Sequence, residues 1–291
     1  MAMKELVVIS GKEGAGKTTL VAAFASLTEK EVICDADAGL PGLQQMMSPL
    51  VTECHRFNWG NGAETDNSRC AQCGLCRSLY PEKEIESPSN TSGEWFVSET
   101  RFGPMVHASL EPGAENSGGL VDLIRQEGKK CAEAKGFDLL LTDGPSGLGR
   151  PVMASIRGAT AALILADPTV SGKHYVERLA DLVAFFHVPA MVCVNRFDVD
   201  PENTRDIELY AEQRNMSVVG RIPFDPVFAE ATAAGKRIAG FDGDSKGMKA
   251  VLRAWRRVVL ELQLLHGNYL RDWFNGEICH RLDSVGIRLN Y

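Results

Sequence analysis

Short apolar runs alternate with longer amphipathic stretches along most of this chain. A continuous apolar run is typical of a strand that is buried on both faces, and apolar positions at every third or fourth residue predict a helix. The alternation therefore predicts an α/β fold with a doubly wound, mostly parallel sheet. The predicted strands are residues 5–10, 31–37, 138–143, 160–166, 190–195 and 217–222, and the predicted helices are residues 17–28, 119–135, 171–186, 201–214, 225–234 and 245–266.

One long stretch, residues 47–103, does not follow this alternation. It is rich in Asn, Ser, Gly, Glu and Cys and has no sustained apolar period. Because a structureless connection of that length is implausible inside a compact domain, we expect a small inserted subdomain there. The predicted organisation is a core of residues 1–46 and 104–245, an insert of residues 47–103, and a C-terminal helix and tail of residues 246–291.

Composition and charge narrow the class of protein. The 291 residues carry a net charge of −7, with 44% hydrophobic and 24% charged residues, which is typical of an ordinary globular protein. The negative charge argues against a nucleic-acid partner, because such a partner needs a dominant basic face. The apolar run at residues 6–9 is too short for a signal peptide or a membrane span, so we expect a cytoplasmic protein without a membrane partner. In that compartment we expect the 8 cysteines to be reduced thiols or metal ligands.

A glycine-rich loop directly after the first predicted strand carries the clearest chemistry. Residues 11–18 read Gly-Lys-Glu-Gly-Ala-Gly-Lys-Thr, which matches the phosphate-binding loop pattern G-x-x-x-x-G-K-[ST] between a strand and a helix. The glycines let backbone N–H groups turn towards phosphate oxygens, and the positive end of the following helix points at the same phosphates. We expect Lys17 to reach the β- and γ-phosphates and the Thr18 hydroxyl to bind Mg²⁺. The predicted nucleotide-binding residues of this loop are Gly11, Gly14, Ala15, Gly16, Lys17, Thr18 and Thr19.

Three carboxylates end predicted strands, where ligands bind in a doubly wound sheet. Asp143 precedes a loop that begins at Gly144, and this position suits a residue that senses Mg²⁺ and the γ-phosphate. Asp35 and Asp37 end another strand, and either could orient or activate the attacking water. We assign that role to Asp37, and a metal-binding role to Asp35 and Asp143. A helix cap or a turn residue is the alternative interpretation of Asp35 and Asp37.

Further segments extend the pattern. The loop carries a second lysine, Lys12. Residues 35–40 read Asp-Ala-Asp-Ala-Gly-Leu, and residues 143–149 read Asp-Gly-Pro-Ser-Gly-Leu-Gly. Together with residues 194–198 and 222–225, over about residues 4–240, these segments resemble the deviant P-loop ATPases, the group that contains MinD, ParA, Mrp and the nitrogenase iron protein. In that group they correspond to the first switch, the Walker B motif with the second switch, and the loops near the base.

The resemblance implies an enzyme that binds ATP and Mg²⁺ and hydrolyses ATP slowly, with stimulation by a partner. It also implies an ATP-dependent homodimer, or a heterodimer with a paralogue, in which Lys12 crosses the interface and stabilises charge in the transition state on the other nucleotide. Lys12, Lys17 and Asp37 are therefore the expected catalytic residues. In relatives the asparagine equivalent to Asn195 contacts the adenine base, and Pro223 lies in the loop near the base.

The cysteines are concentrated in the predicted insert. Cys70, Cys73 and Cys76 follow the spacing that opens a bacterial ferredoxin motif, but Tyr80 stands where the fourth cysteine of that motif normally lies. We expect Cys54 to complete a [4Fe–4S] site, and a three-iron cluster or a four-iron cluster with an open corner is the alternative with three thiolates. Zinc on the same four cysteines is the main rival. Within the group named above, the chain resembles MinD-type ATPases with an inserted ferredoxin domain, which is truncated here.

Two functions are compatible with these features. In the first, the nucleotide state controls the iron–sulfur site, in metallocentre assembly or ATP-gated redox chemistry, with a client metalloprotein or a redox partner. In the second, the chain is a spatial-positioning switch of the MinD or ParA type with a structural zinc ion or a vestigial insert. Helix 245–266 places arginines beside an apolar stripe, as a membrane-surface helix also does, but we expect it to pack on the core. An amide-forming ligase is disfavoured, because the sequence shows no glutaminase region or substrate motif.

Overall fold

The structure is a computed structural model that describes residues 3–28, 30–39, 42–59, 91–112, 114, 116–233 and 245–265. Its strands are β1 (Lys4–Ser10), β2 (Glu31–Asp35), β3 (Leu50–Trp59), β4 (Thr91–Glu99), β5 (Pro104–Leu110), β6 (Leu139–Ser146), β7 (Ala161–Ala166), β8 (Ala190–Asn195) and β9 (Ser217–Ile222). Its helices are α1 (Lys17–Ala25), α2 (Gly42–Met47), α3 (Gly118–Lys135), α4 (Arg150–Ile156), α5 (Val170–Phe185), α6 (Pro201–Gln213), α7 (Pro226–Ala233) and α8 (Lys246–Leu264). The strands of these ranges form one sheet in the order β3-β4-β5-β2-β6-β1-β7-β8-β9.

Strand β1 lies inside the sheet because its residues are apolar on both faces. Leu6 and Val8 point into a core shared with α1, α2 and α8, whereas Val7 and Ile9 point into a core shared with α4, α5 and α6. β1 pairs in parallel with β6 on one side and with β7 on the other. Helices thus cover both faces, which confirms the predicted doubly wound, mostly parallel α/β fold.

The six predicted strands correspond to β1, β2, β6, β7, β8 and β9, with shifts at their ends. β2 ends at Asp35 rather than at Asp37, and β6 continues to Ser146. β5 is absent from the predicted strands, because Pro104, His107 and Ser109 interrupt its apolar positions. It pairs in parallel with β2 and belongs to the core sheet.

Strands β3 and β4 change the predicted organisation of residues 47–103. We expected a separate insert over this whole stretch, but β3 pairs with β4 and β4 pairs with β5, both antiparallel, so the two strands extend the core sheet at its edge. The pair buries few side chains, among them Phe57 and Ser98, so it needs no apolar run that a sequence pattern would reveal. The cysteine motif itself, with Cys70, Cys73, Cys76 and Tyr80, lies outside the described residues.

Helix α8 packs its apolar stripe on the core, as expected. The Ser245 hydroxyl caps the helix by accepting a hydrogen bond from the Met248 N–H at 3.0 Å. The Trp255 ring lies 4.6 Å from the Phe24 ring of α1, centroid to centroid. The buried side chains of the stripe include Met248, Val251, Trp255, Val258 and Leu262. Within the described ranges, no helix is long and apolar enough to cross a bilayer.

Candidate functional site

The predicted site residues come together at the carboxyl ends of the parallel strands. The glycine-rich loop joins β1 to α1, Asp35 is the last residue of β2, Asp143 lies near the end of β6, and Asn195 ends β8. Neighbouring parallel strands place these ends side by side, and Asp35 is directly opposite Asp143 in the pairing of β2 with β6. Ligands bind in this crevice in open α/β sheets.

Two glycines give the loop its shape. Gly14 and Gly16 adopt left-handed φ angles of 74° and 94°, a region that glycine enters without steric cost. Gly16 is also the N-cap residue of α1, and it has no side chain that would occupy the first N–H groups of the helix. These N–H groups and the positive end of α1 are therefore available to an anion such as phosphate.

Asn195, the last residue of β8, and Arg196 after it hold the phosphate loop by its backbone carbonyls. The Asn195 amide donates to the Ala15 carbonyl at 2.7 Å, and the Arg196 guanidinium donates to the Gly14 carbonyl at 2.8 Å. Because the C=O and N–H of one peptide point in opposite directions, the N–H groups of Ala15 and Gly16 face away from this segment. Asn195 Oδ1 accepts the Arg196 N–H at 3.0 Å. The amide that we expected at the adenine base thus holds the phosphate loop in this structure.

Lys17 is buried and paired with two carboxylates. Its Nζ lies 2.8 Å from Asp143 Oδ1 and 3.0 Å from Asp37 Oδ2, and its side chain is 4% exposed. Burial lowers the pKa of Lys17, but the charges and hydrogen bonds of the two carboxylates outweigh burial and hold the pKa above its usual range. Lys17 is therefore charged, as an interaction with phosphate requires.

Asp35 and Asp143 fit a divalent cation. Both are almost fully buried, and the Oδ2 atom of each has no hydrogen-bond partner among the described residues. Burial, followed by the charge of Asp143, raises the pKa of Asp35 well above its usual range, and burial also raises the pKa of Asp143 although Lys17 opposes it. The Thr18 side chain also opposes the rise in the pKa of Asp143, so its hydroxyl lies near this carboxylate. Carboxylate and hydroxyl oxygens are ligands that Mg²⁺ prefers, and Mg²⁺ takes its other ligands from phosphates and water.

The second lysine of the loop, Lys12, pairs within its own chain. Its Nζ lies 2.7 Å from Asp167 Oδ2, and Asp167 directly follows β7. The Ser10 hydroxyl donates to the Lys12 carbonyl at 2.9 Å. A contact between Lys12 and a second copy of the chain would therefore require Nζ to leave Asp167.

A cavity of about 420 Å³ opens beside the phosphate loop. The loop and α1 line one side of it, and the segments that follow β8 and β9 line the other side. A largely apolar cavity next to a phosphate-binding loop suits the base of a nucleotide. Residues that line it include Thr19, Leu20, Asn195, Pro223, Phe224 and Val251.

The structure places the cysteines of its described ranges in different environments. Cys54 is exposed on β3, whereas Cys34 and Cys193 are buried. Burial raises the pKa of the Cys193 thiol to about 12, so this side chain is a small apolar core residue. Within the described ranges, no three or more His, Cys, Asp or Glu side chains form a group that could hold a metal ion. The expected partners of Cys54 lie outside those ranges, so the iron–sulfur site stays a prediction: Cys70, Cys73 and Cys76.

Two contacts at the site were not predicted. Asp167 follows β7 as Asp35 ends β2, so its position at a strand end was a usable signal. Arg196 follows Asn195 directly, but its contact with Gly14 spans 182 residues, and local patterns do not reveal the reach of a side chain.

Comparison with known proteins identifies the family. Residues 6–238 match the family described as the CobQ/CobB/MinD/ParA nucleotide binding domain. The chain is 25% identical over 220 residues to an uncharacterized protein of Methanocaldococcus jannaschii, covering 66% of this chain and 78% of that protein. It is 24% identical over 266 residues to the septum site-determining protein MinD of Bacillus subtilis, covering 88% of this chain and 89% of that protein.

A solved structure shares the fold. The septum site-determining protein MinD of Pyrococcus horikoshii OT3, complexed with Mg-ADP, matches with a TM-score of 0.59 and 16% identity over 91% of this chain and 100% of that chain. The phosphate loop, the paired carboxylates and the sequence match all indicate the same family. The chain belongs to the CobQ/CobB/MinD/ParA family of nucleotide-binding domains, and it is an ATPase.

Proposed function

We propose that this ATPase is a nucleotide-operated switch that hydrolyses ATP as a dimer and controls the segment of residues 60–90. The observation that carries the proposal is the position of Lys17, which is held between Asp37 and Asp143 at the ends of two strands. A buried lysine in this position can exchange a carboxylate partner for a phosphate oxygen. Binding of ATP then changes the contacts of both strand ends.

The loop N–H groups and Lys17 bind the phosphates of ATP. Phosphate oxygens compete with Asp37 for Lys17 Nζ, because both form charge-assisted hydrogen bonds with it. Asp37, released from Lys17, orients the attacking water or accepts its proton. Asp35, Asp143 and Thr18 would hold Mg²⁺, which neutralises charge on the phosphate oxygens. After hydrolysis and release of phosphate, Lys17 returns to Asp37.

Lys12 makes hydrolysis depend on a second copy of the chain. In one chain Lys12 is 38% exposed although it is paired with Asp167. From its place in the phosphate loop, the Lys12 side chain can reach the nucleotide of another copy. There it stabilises charge in the transition state. Dimer formation thus exchanges an internal ion pair for a contact with phosphate across the interface.

ATP hydrolysis and light scattering of the wild type and Lys12→Ala test this switch. We expect Mg–ATP to produce wild-type dimers, and Lys12→Ala to lower kcat on the order of 10²–10³-fold with little change in ATP affinity. Lys135→Ala is the matched control, since Lys135 is 40% exposed and its Nζ also lies 2.7 Å from a carboxylate oxygen, that of Glu99. Wild-type activity of Lys12→Ala, or a monomer in every nucleotide state, would contradict the proposal.

The cysteine-bearing segment is the proposed output of the switch. Residues 60–90 connect β3 to β4, two strands that extend the core sheet. The spacing of Cys70, Cys73 and Cys76 supports a [4Fe–4S] cluster, and the exposed Cys54 on β3 is the proposed fourth ligand. The partner is then a metalloprotein that receives the cluster or a protein that exchanges electrons with it.

Anaerobic purification followed by iron, sulfide and zinc analysis tests the output. We expect stoichiometric iron and sulfide in the wild type, loss of both in Cys73→Ser, and a reduced content in Cys54→Ser. Cys193→Ser is the matched control, because this thiol is buried in the core. Zinc alone, or no metal, would contradict the iron–sulfur output and leave the ATPase switch in place.

A spatial-positioning switch is the second candidate, because the Bacillus subtilis relative is named a septum site-determining protein. The apolar stripe of α8 is buried on the core, so this stripe is not free to bind a membrane. Colourless protein that binds liposomes only with ATP would favour the positioning switch. Brown protein whose absorption is bleached by dithionite would favour the cluster.

A further inference from the structure

The side chain of Asn116 holds the backbone between two carboxylates of the site. Its Nδ2 donates to the Ala36 carbonyl at 2.8 Å, although the two residues are 80 positions apart in the chain. On the other side, the Ala36 N–H donates to the Asp143 carbonyl of β6 at 2.9 Å. Both polar backbone groups of Ala36 are therefore fixed, and Ala36 lies directly between Asp35 and Asp37.

The direction of the Ala36 carbonyl determines where Asp37 lies. The peptide is planar, so the Asp37 N–H points away from the carbonyl that Asn116 holds. This N–H donates to Asp35 Oδ1 at 3.3 Å, and Asp37 Oδ2 lies 3.0 Å from Lys17 Nζ. A rotation of this single peptide would change both contacts of Asp37.

Asn116 is placed on a rigid support. The next residue, Ser117, caps α3, and its hydroxyl accepts the Leu120 N–H at 3.2 Å. Further along α3, the Arg125 Nη2 atom lies 2.7 Å from Glu5 Oε2 of β1, and both side chains are almost fully buried. A group that positions a reacting residue needs such support, because a displacement of about 1 Å can lower a rate about 10²-fold.

We propose that Asn116 is a positioning residue for Asp37 in ATP hydrolysis, acting through the hydrogen bond from its Nδ2 to the Ala36 carbonyl. This inference rests on the proposed role of Asp37. Asn116 Oδ1 is buried and has no hydrogen-bond partner in the part of the chain that the structure describes. The donor function of the amide is therefore the one that acts on Ala36.

Asn116→Asp tests the donor function, because it preserves the shape of the side chain and replaces Nδ2 by a carboxylate oxygen. At saturating Mg²⁺ we expect kcat to fall about 10- to 100-fold, with the KM for ATP within about threefold of the wild type. As the pH is lowered, the introduced carboxyl gains a proton and regains a donor. The ratio of variant to wild-type kcat should therefore rise towards low pH, which a merely structural role would not produce.

Two further variants separate positioning from folding. Asn116→Ala removes the donor without adding charge, and we expect it to lower kcat similarly with no recovery at low pH. It also replaces Asn116→Asp as the test if that variant does not fold. Ser117→Ala removes the cap of α3 without touching Ala36, so it should lower the melting temperature and leave kcat within about twofold.

Asp37→Asn separates this inference from the proposed function. If Asp37→Asn hydrolyses ATP at the wild-type rate, the role of Asp37 and the inference are both overturned. If Asp37→Asn is inactive while both Asn116 variants keep the wild-type kcat, the inference alone is overturned. The same holds if Ser117→Ala lowers kcat as much as the Asn116 variants do.

Discussion

In the centre of the sheet, β1, β6 and β7 are buried almost throughout, whereas at one edge β3 leaves Leu50 73% and Arg56 88% exposed. The central strands end at the phosphate loop and the carboxylates of the site. The edge strands carry charged side chains into solvent and join residues 60–90 to the sheet. A central strand cannot shift without opening the core on both faces, so burial is what fixes the positions of the site residues. The edge can carry a long segment without disturbing them.

Among the variants that compare the centre with the edge, Lys17→Ala should have the largest effect. Its side chain is 4% exposed, so solvent cannot substitute for the positive charge that the variant lacks at the phosphates. We expect kcat/KM for ATP to fall on the order of 10²–10³-fold, measured by phosphate release. Lys135→Ala, close to the edge hairpin, should hydrolyse ATP at the wild-type rate. Similar losses of kcat/KM in both variants would show that the centre and the edge contribute alike to ATP hydrolysis.

His107 lies on β5, which joins the two regions. Its titration therefore tests how burial at the boundary between them affects stability. His107 is 4% exposed, its Nε2 lies 2.9 Å from Ser98 Oγ, and burial lowers its pKa from 6.5 to about 4. As the pH falls below about 6.5, the unfolded chain binds a proton that the folded chain does not, so the free energy of unfolding decreases. The decrease reaches roughly 3 kcal/mol near pH 4.

Urea unfolding of the wild type and His107→Gln between about pH 7.5 and 4.5 measures this effect. The variant should lose less free energy of unfolding over this range, because it has no imidazole to protonate. Equal pH dependence in the two proteins would show that His107 titrates normally in the folded state.

If Asp35 binds Mg²⁺ as proposed, the affinity of the central site for Mg²⁺ should depend on pH. Burial and the neighbouring Asp143 raise the pKa of Asp35, so it holds a proton at a pH where an exposed aspartate does not. Mg²⁺ must displace that proton, and its affinity should therefore rise with pH by up to about tenfold per unit below the raised pKa. Mg²⁺ titration with a fluorescent ATP analogue at two pH values measures the slope. Asp35→Asn should bind Mg²⁺ more weakly and lose the slope, and a flat wild-type profile would rule out the protonated state.

Arg56→Ala should have the smallest effect. Arg56 Nε lies 3.3 Å from Glu94 Oε1, but Arg56 is 88% exposed on the edge strand. Exposed ion pairs contribute little, so we expect the melting temperature to change by less than about 2 °C and ATP hydrolysis to stay at the wild-type rate. A large change in either would show that the edge contributes to the site.

The central strands and the phosphate loop could be predicted because local patterns encode them. A strand buried on both faces needs a continuous apolar run, as β7 shows, and the loop needs glycine at fixed positions such as Gly14 and Gly16. Strands β3, β4 and β5 were missed because edge and near-edge strands include polar and charged residues. Their pairing with the core sheet depends on contacts across the chain.

The partners of the site residues were harder to predict than the residues themselves. Asp37, Asp143 and Lys17 were each assigned to the site, but the pairing of Lys17 with both carboxylates is a property of the folded strand ends. The contact from Asn116 to Ala36 joins positions 80 residues apart, and no spacing rule predicts such a contact.

Helix α3 connects the two regions that differ so much in burial. It begins next to Asn116, and at its other end Lys135 Nζ lies 2.7 Å from Glu99 Oε1 at the end of β4. Its 18 residues make a rod about 27 Å long at about 1.5 Å per residue. A rod of this length would act as a lever if it tilted, because a tilt of about 5° at one end would displace the other end by about 2 Å. The ion pair of Lys135 with Glu99 therefore makes α3 the stiff element that would carry such a displacement to the hairpin.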